Sequence, residues 1–216
     1  MVLSQRGIAD SLFAIQITCA LIFGITQIAR MLESTTGVSL TWFLFWAIFL
    51  GLNLLLALKA HQVQPSRVTA QTVATYATWS LVLAGALCVL LWRAMGAWQP
   101  VDTLNVLVSG IGIAGTLAVG RRHGAGLADP MVRGWLAVFF KATPQLTLAW
   151  HLAQVGGAGL APFAILAGHI TINIRLGQLY FSIREAGWDR NRIGSAVSEI
   201  ANELSWVVAT IVWLVV

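Results

Sequence analysis

Seven apolar runs, each long enough to cross the roughly 30 Å of hydrocarbon in a bilayer, leave this chain few folds to choose from. They extend from Ile8 to Ala29, Ser39 to Leu58, Thr69 to Trp92, Thr103 to Gly120, Gly134 to Leu152, Leu160 to Phe181 and Gly194 to Val216. In hydrocarbon every backbone amide must find its partner within the protein, and runs of this length do so as helices. The expected fold is an all-α membrane protein of seven transmembrane helices. Composition agrees, with 58% of residues apolar and 10% charged and a mean hydropathy of +0.80, well outside the range of a soluble domain. Turn chemistry separates the runs at Gln64-Pro65-Ser66, Gln99-Pro100, Asp129-Pro130 and Gly187 to Asn191. The first run ends without a small-residue cleavage site and reads as a helix that stays, not a signal peptide.

The charges between the runs orient the chain. With seven spans one face collects Arg6, Lys59, Arg67, Arg121, Arg122, Arg133, Arg184, Arg190 and Arg192, while the other has only Arg30 and Arg93. The basic face is expected to be cytoplasmic. That places the amino terminus inside and the carboxyl terminus outside, in what reads as the inner (plasma) membrane of a bacterium. The net charge of +5 is then a matter of topology, and nucleic acid is not an expected partner. Trp42, Trp92, Trp98, Trp135, Trp150 and Trp188 fall near the ends of runs, as interfacial aromatics do, whereas Trp46, Trp79 and Trp206 sit deeper. Cys19 and Cys88 fall within apolar runs and read as small core residues.

The runs repeat. Lys141-Ala142-Thr143-Pro144-Gln145 is followed by a glycine-rich hairpin and an apolar helix carrying Asn173; earlier, Thr26-Gln27 is followed by a shorter hairpin and a helix carrying Asn53. The interval from Gln27 to Gln145 and that from Asn53 to Asn173 differ by only two residues, and Arg67 and Arg192 each precede the third helix of a triplet. The expected organisation is three helices over residues 1–95, a linker helix over 96–128 and three helices over 129–216. The linker restores the direction of the second triplet, so the repeats are parallel and a solute site is expected on the axis between them.

On these residues, Pro144-Gln145 with its hairpin and Asn173, the degenerate Thr26-Gln27 with Asn53, and the 3+1+3 layout, the chain resembles the PQ-loop family, which includes the SWEET sugar transporters, cystinosin and the KDEL receptor. The resemblance covers essentially the whole chain. It departs from the family at Thr26, where a proline is expected, and in the orientation of its amino terminus. It implies a small polar solute of the sugar or amino-acid class, moved by alternating access, with no enzyme activity and no cofactor.

Ionisable residues inside the runs are the candidates for chemistry. Counting inward at 1.5 Å per residue, Lys141, Arg175, Glu199 and Glu203 share a layer roughly 8 to 14 Å below the cytoplasmic surface. A charge at such depth costs about 2.5 to 3.5 kcal/mol unless it meets a partner or water. The four are expected either to serve proton coupling or to form structural ion pairs, with Glu203 the favoured proton carrier. Glu199, Asn202, Glu203, Trp206, Thr210 and Trp213 are spaced as one stripe of the last helix, and suit a polar solute stacked on indole. Asn53, Trp79, Asn173, Asn202 and Trp206 are the expected solute contacts. Pro144 removes a backbone hydrogen bond and should bend the fifth helix as a hinge, with Gln145 satisfying a freed carbonyl. His151 and His169 lack a third ligand, so no metal site is expected. The expected function is a small-solute transporter in the lipid bilayer, compatible with a homo-oligomer; a receptor or a structural subunit is the alternative.

Overall fold

The computed structural model describes residues 5–93 and 98–216. The expected domain boundary at 95/96 lies outside the described residues, as does the side chain of Arg6. Within them the order is α1 (Gln5–Glu33), α2 (Leu40–Val63), α3 (Arg67–Arg93), α4 (Pro100–Arg122), α5 (Pro130–Ala137), a π turn (Val138–Ala142), α6 (Thr143–Val155), α7 (Pro162–Ala186) and α8 (Arg190–Val215). No strand occurs among the described residues. The π turn joins α5 to α6 without a break, which leaves seven rods.

Five of them, α1, α2, α3, α4 and α8, are long and apolar enough to cross a membrane. Their outward faces carry Leu55, Leu81, Ile111, Leu204 and Leu214, each more than half exposed. Water would not tolerate so much apolar surface on a monomer, and lipid does. The chain is an all-helical membrane protein.

Proline and capping side chains set the helix starts. Pro100, Pro130 and Pro162 each open a helix, where the missing N–H would have had no partner. The Ser39 hydroxyl accepts from Trp42 N at 3.1 Å, the Asp129 carboxylate from Met131 N at 2.9 Å and the Asp189 carboxylate from Arg192 N at 2.7 Å. Each rod extends beyond its apolar run at one end or both. The carboxyl end of α7 is Ala186 and α8 begins at Arg190, so Arg175, Glu199 and Glu203 lie about one turn further from their helix ends than the runs suggest.

α3 packs against both α1 and α2, and α8 packs against α5, α6 and α7. Between these two groups the contacts run from α1 to α7 and from α2 to α6 and the π turn; α4 lies against α2, α5, α6 and the π turn. Close helix crossings use glycine. A Cβ on Gly134 of α5 would run into the Gly194 carbonyl oxygen of α8, so the two backbones touch. One side of the bundle holds the ion pairs of Asp10 in α1 with Arg67 in α3 and of Asp129 with Arg190, and is called the basic end below. The opposite side holds the connections 34–39 and 156–161 and is called the hairpin end.

Trp42 corrects one expectation. It is 1% exposed and stacks on Trp46 and Trp206 at centroid distances of 5.8 and 5.5 Å. Its ring points into the bundle, packed between α2 and α8, and not to the surface. Trp92, Trp98, Trp135, Trp150 and Trp188 are exposed.

Candidate functional site

A cavity of about 160 Å³ lies between the two groups of helices, with residues from every helix except α4 on its wall. Toward the basic end it reaches Pro130 at the start of α5 and Asn191 at the start of α8. Deeper in, its wall is aromatic. Phe23, Trp46 and Trp79 meet at centroid distances of 5.3 to 5.4 Å, and Trp42 and Trp206 continue the cluster. Aromatic clusters of this spacing are rigid, and they present flat apolar faces.

Charged side chains occupy the middle of the cavity wall. Lys141 comes from the π turn and is 5% exposed. Its ammonium sits 5.5 Å from the centroid of the Phe49 ring, a cation–π distance, and it makes no hydrogen bond to protein among the described residues. Arg175 of α7 approaches Glu199 of α8 only at 3.8 Å, too far for a hydrogen bond. The second Glu199 oxygen, Oε2, is buried without a partner among the described residues. Arg133 of α5 also lines the cavity and donates through Nη2 to Asn53 Oδ1 at 2.6 Å. The charge count over the runs places Arg133 in a loop. Helix α5 begins three residues before it and turns it inward.

The expected site residues divide. Asn53, Trp79, Lys141, Gln145, Arg175, Glu199, Asn202 and Trp206 all line the cavity. Asn173 and Glu203 do not. The expected stripe on α8 splits between two directions, since three- and four-residue steps cover a wide arc of a helix. Glu199, Asn202 and Trp206 face the cavity, while Glu203 turns to α7. There His169 Nδ1 lies 2.9 Å from Glu203 Oε1, His169 Nε2 lies 3.0 Å from the Thr210 hydroxyl, and Asn173 Nδ2 donates to Glu203 Oε1 at 3.3 Å. The layer of four charges is thus a cavity trio, Lys141, Arg175 and Glu199, plus a separate pair of Glu203 with His169. Sequence spacing holds a trace of this pairing: His169 and Asn173 are four apart on α7, hence neighbours on one face.

The two asparagines at matched positions do not bond to each other. Each donates to the carbonyl one turn back, Asn53 to Phe49 O at 2.7 Å and Asn173 to His169 O at 2.9 Å. Pro144 stands in the first turn of α6 directly after the π turn. That turn widens the helix by one residue and absorbs the clash a proline ring makes with the preceding turn. Gln145 does not repair the backbone. It donates to Asn202 Oδ1 at 3.2 Å and accepts from the Ser205 hydroxyl, tying α6 to α8.

Gln27 is the contact that sequence reasoning underrates. It is 1% exposed, donates to Gly159 O at 2.8 Å and accepts from Ala161 N at 3.1 Å. Arg30 donates to Ala158 O at 2.6 Å, and Gly159 N to Thr36 O at 2.8 Å. At the hairpin end, α1 and the connection 34–39 are therefore joined to the hairpin 156–161 by hydrogen bonds that cross between the two groups of helices. Compared with known proteins, the chain matches no family model, no curated protein and no solved structure.

Proposed function

We propose that the chain is a membrane transporter of a small polar solute that works by alternating access, in a 3+1+3 arrangement like that of the PQ-loop proteins. In this reading α1–α3 form one repeat, α4 is the linker, and α5–α6, α7 and α8 form the other. The observation that carries it is the cavity between the two groups, with buried charges on its wall and the hydrogen bonds between the groups concentrated at one end.

The packing supports the parallel repeat. In each group the third rod lies between the other two, and the groups meet first rod to second rod in both directions, α1 on α7 and α2 on α6. An approximate twofold axis along the membrane normal produces such a pattern. The state is closed at the hairpin end, and rocking the groups apart there would expose the cavity to the other side. The basic end is cytoplasmic by its excess of arginine, so this is the inward-facing state.

The test is solute counterflow. Purified protein is screened for thermal stabilisation by sugars, amino acids, organic acids and vitamins, and each hit is then exchanged across vesicles holding the protein. Saturable exchange supports transport. Tight binding without exchange favours the receptor reading.

A further inference from the structure

We propose that the solute of this cavity is a small organic anion with a flat apolar body, its acid group held among Arg133, Lys141 and Arg175 and its body laid against the tryptophans of α2 and α3. The inference rests on reading the cavity as the solute site.

Charge balance is the first ground. Three cationic side chains line the cavity, Arg133, Lys141 and Arg175, against one carboxylate, Glu199. Glu203, the other acid at this depth, is turned away to His169. The two guanidinium groups stay protonated at any physiological pH. The formal excess is therefore two positive charges with Lys141 charged and one with it neutral. In a low-dielectric interior an uncompensated charge of either size is costly. A neutral sugar or a zwitterion would leave it in place, a cation would increase it, and an anion removes it.

Hydrogen-bond balance points the same way. Trp42 Nε1, Trp79 Nε1 and Arg133 Nε are buried donors without partners among the described residues, and all three residues line the cavity. Lys141 and Arg175 add donors that no acceptor among those residues takes up. The one orphaned acceptor on this wall among the described residues is Glu199 Oε2. Buried polar groups are normally satisfied, and a wall with this surplus of donors fits a ligand rich in acceptors, as a carboxylate or phosphate group is.

The layout supplies the body of the ligand. Phe23, Trp46 and Trp79 line the cavity with the charges and pack on one another at interplanar angles of 40 to 82°, an aromatic wall on which a planar ring can stack against one face and meet the edge of another.

The experiment uses the full chain in an uncharged detergent and four probes: benzoate, benzamide, benzylamine and inorganic phosphate. Affinity is read from tryptophan fluorescence and from the unfolding temperature. Benzoate is expected to bind at least about tenfold more tightly than benzamide, since a desolvated charge contact is worth more than a neutral one; benzylamine and inorganic phosphate are expected to bind more weakly still. R175Q should weaken benzoate by about tenfold and leave benzamide unchanged, with R175K recovering part of the loss. R133Q should act in the same direction, and the comparison among probes on the parent chain stands even if that variant does not fold. Benzamide or benzylamine binding as well as benzoate, phosphate binding as well as benzoate, or no response to benzoate would overturn the proposal. Counterflow separates this inference from the transport reading. Benzoate bound but not exchanged sinks transport and leaves the anion site standing; a neutral or cationic solute exchanged through the cavity sinks the anion site and leaves transport standing.

Discussion

The two ends of the cavity are held by different chemistry. At the hairpin end four hydrogen bonds join the helix groups, through Gln27, Arg30 and Thr36 on one side and Ala158, Gly159 and Ala161 on the other. Toward the basic end the single hydrogen bond between the groups among the described residues is that of Arg133 with Asn53. The tight contact there, Gly134 on Gly194, lies within one group. Directional bonds between groups can be exchanged for bonds to water when the groups part, whereas glycine crossings within a group keep it rigid. The hydrogen bonds between the groups among the described residues are thus concentrated at the hairpin end.

The largest effect should come from Gly37, which stands at φ +78 with an added Cβ driven into the Gly156 carbonyl oxygen. Gly37→Val is expected to destabilise the protein by about 3 kcal/mol or more, because left-handed strain and a backbone clash add. Thermal unfolding checks this, with Gly51→Ala, where nothing lies within 4 Å, as the control that should change little.

Next in size is the contrast between the two matched glutamines. Gln27→Ala leaves the buried Gly159 O and Ala161 N unsatisfied, at a cost of about 2 to 4 kcal/mol. It should also raise the reactivity of a cysteine placed at Leu160, which is 3% exposed, toward a label added at the hairpin end. Gln145→Ala is expected to cost about 1 kcal/mol, since the Ser205 hydroxyl keeps its bond to Ala201 O at 2.8 Å, and to leave that labelling unchanged. Equal labelling in both variants would erase the distinction between the ends.

Pro144→Ala sharpens the comparison from the other side. If the π turn and Pro144 act as a hinge of the fifth rod, restoring the amide should shift stability by less than about 1 kcal/mol yet slow solute exchange. Unchanged exchange would remove the hinge.

The smallest effect lies outside the membrane-spanning segments. Arg190 holds the Asp129 carboxyl below the usual carboxylate range; partial burial opposes this, and the amides of Val132 and Met131 assist it. A depressed folded value means that the contribution is present above about pH 4 and is lost as pH falls through the folded value. Asp129→Asn should lower the unfolding temperature slightly near neutrality and flatten its fall on acidification below about pH 4, so that variant and parent converge in acid.

Much of this architecture is legible in the sequence. The apolar runs gave the rods, and Pro100 and Pro130 marked two helix starts, because both signals are local. The cavity wall was legible where depth alone decides, as for Lys141, Arg175 and Glu199. What depth cannot give is azimuth. Glu203 and Glu199 are four apart on α8, yet one faces α7 and the other the cavity. Arg133 was hidden by its position three residues after Pro130, where a side chain can point to water or inward with equal local sense. Trp42 was hidden for the same reason at the other end, since it is packing against Trp206 of α8 that holds it inside.

The most direct measurement of the central claim is the distance between the helix groups at both ends at once. Spin labels at Leu32 and Val155 report the hairpin end, and labels at Val63 and Arg184 report the basic end; all four positions are exposed. Alternating access predicts two populations whose distances change in opposite senses, longer at the hairpin end when shorter at the basic end, with solute shifting their ratio. A single unchanged distance at each end, with and without an exchanged solute, would contradict it.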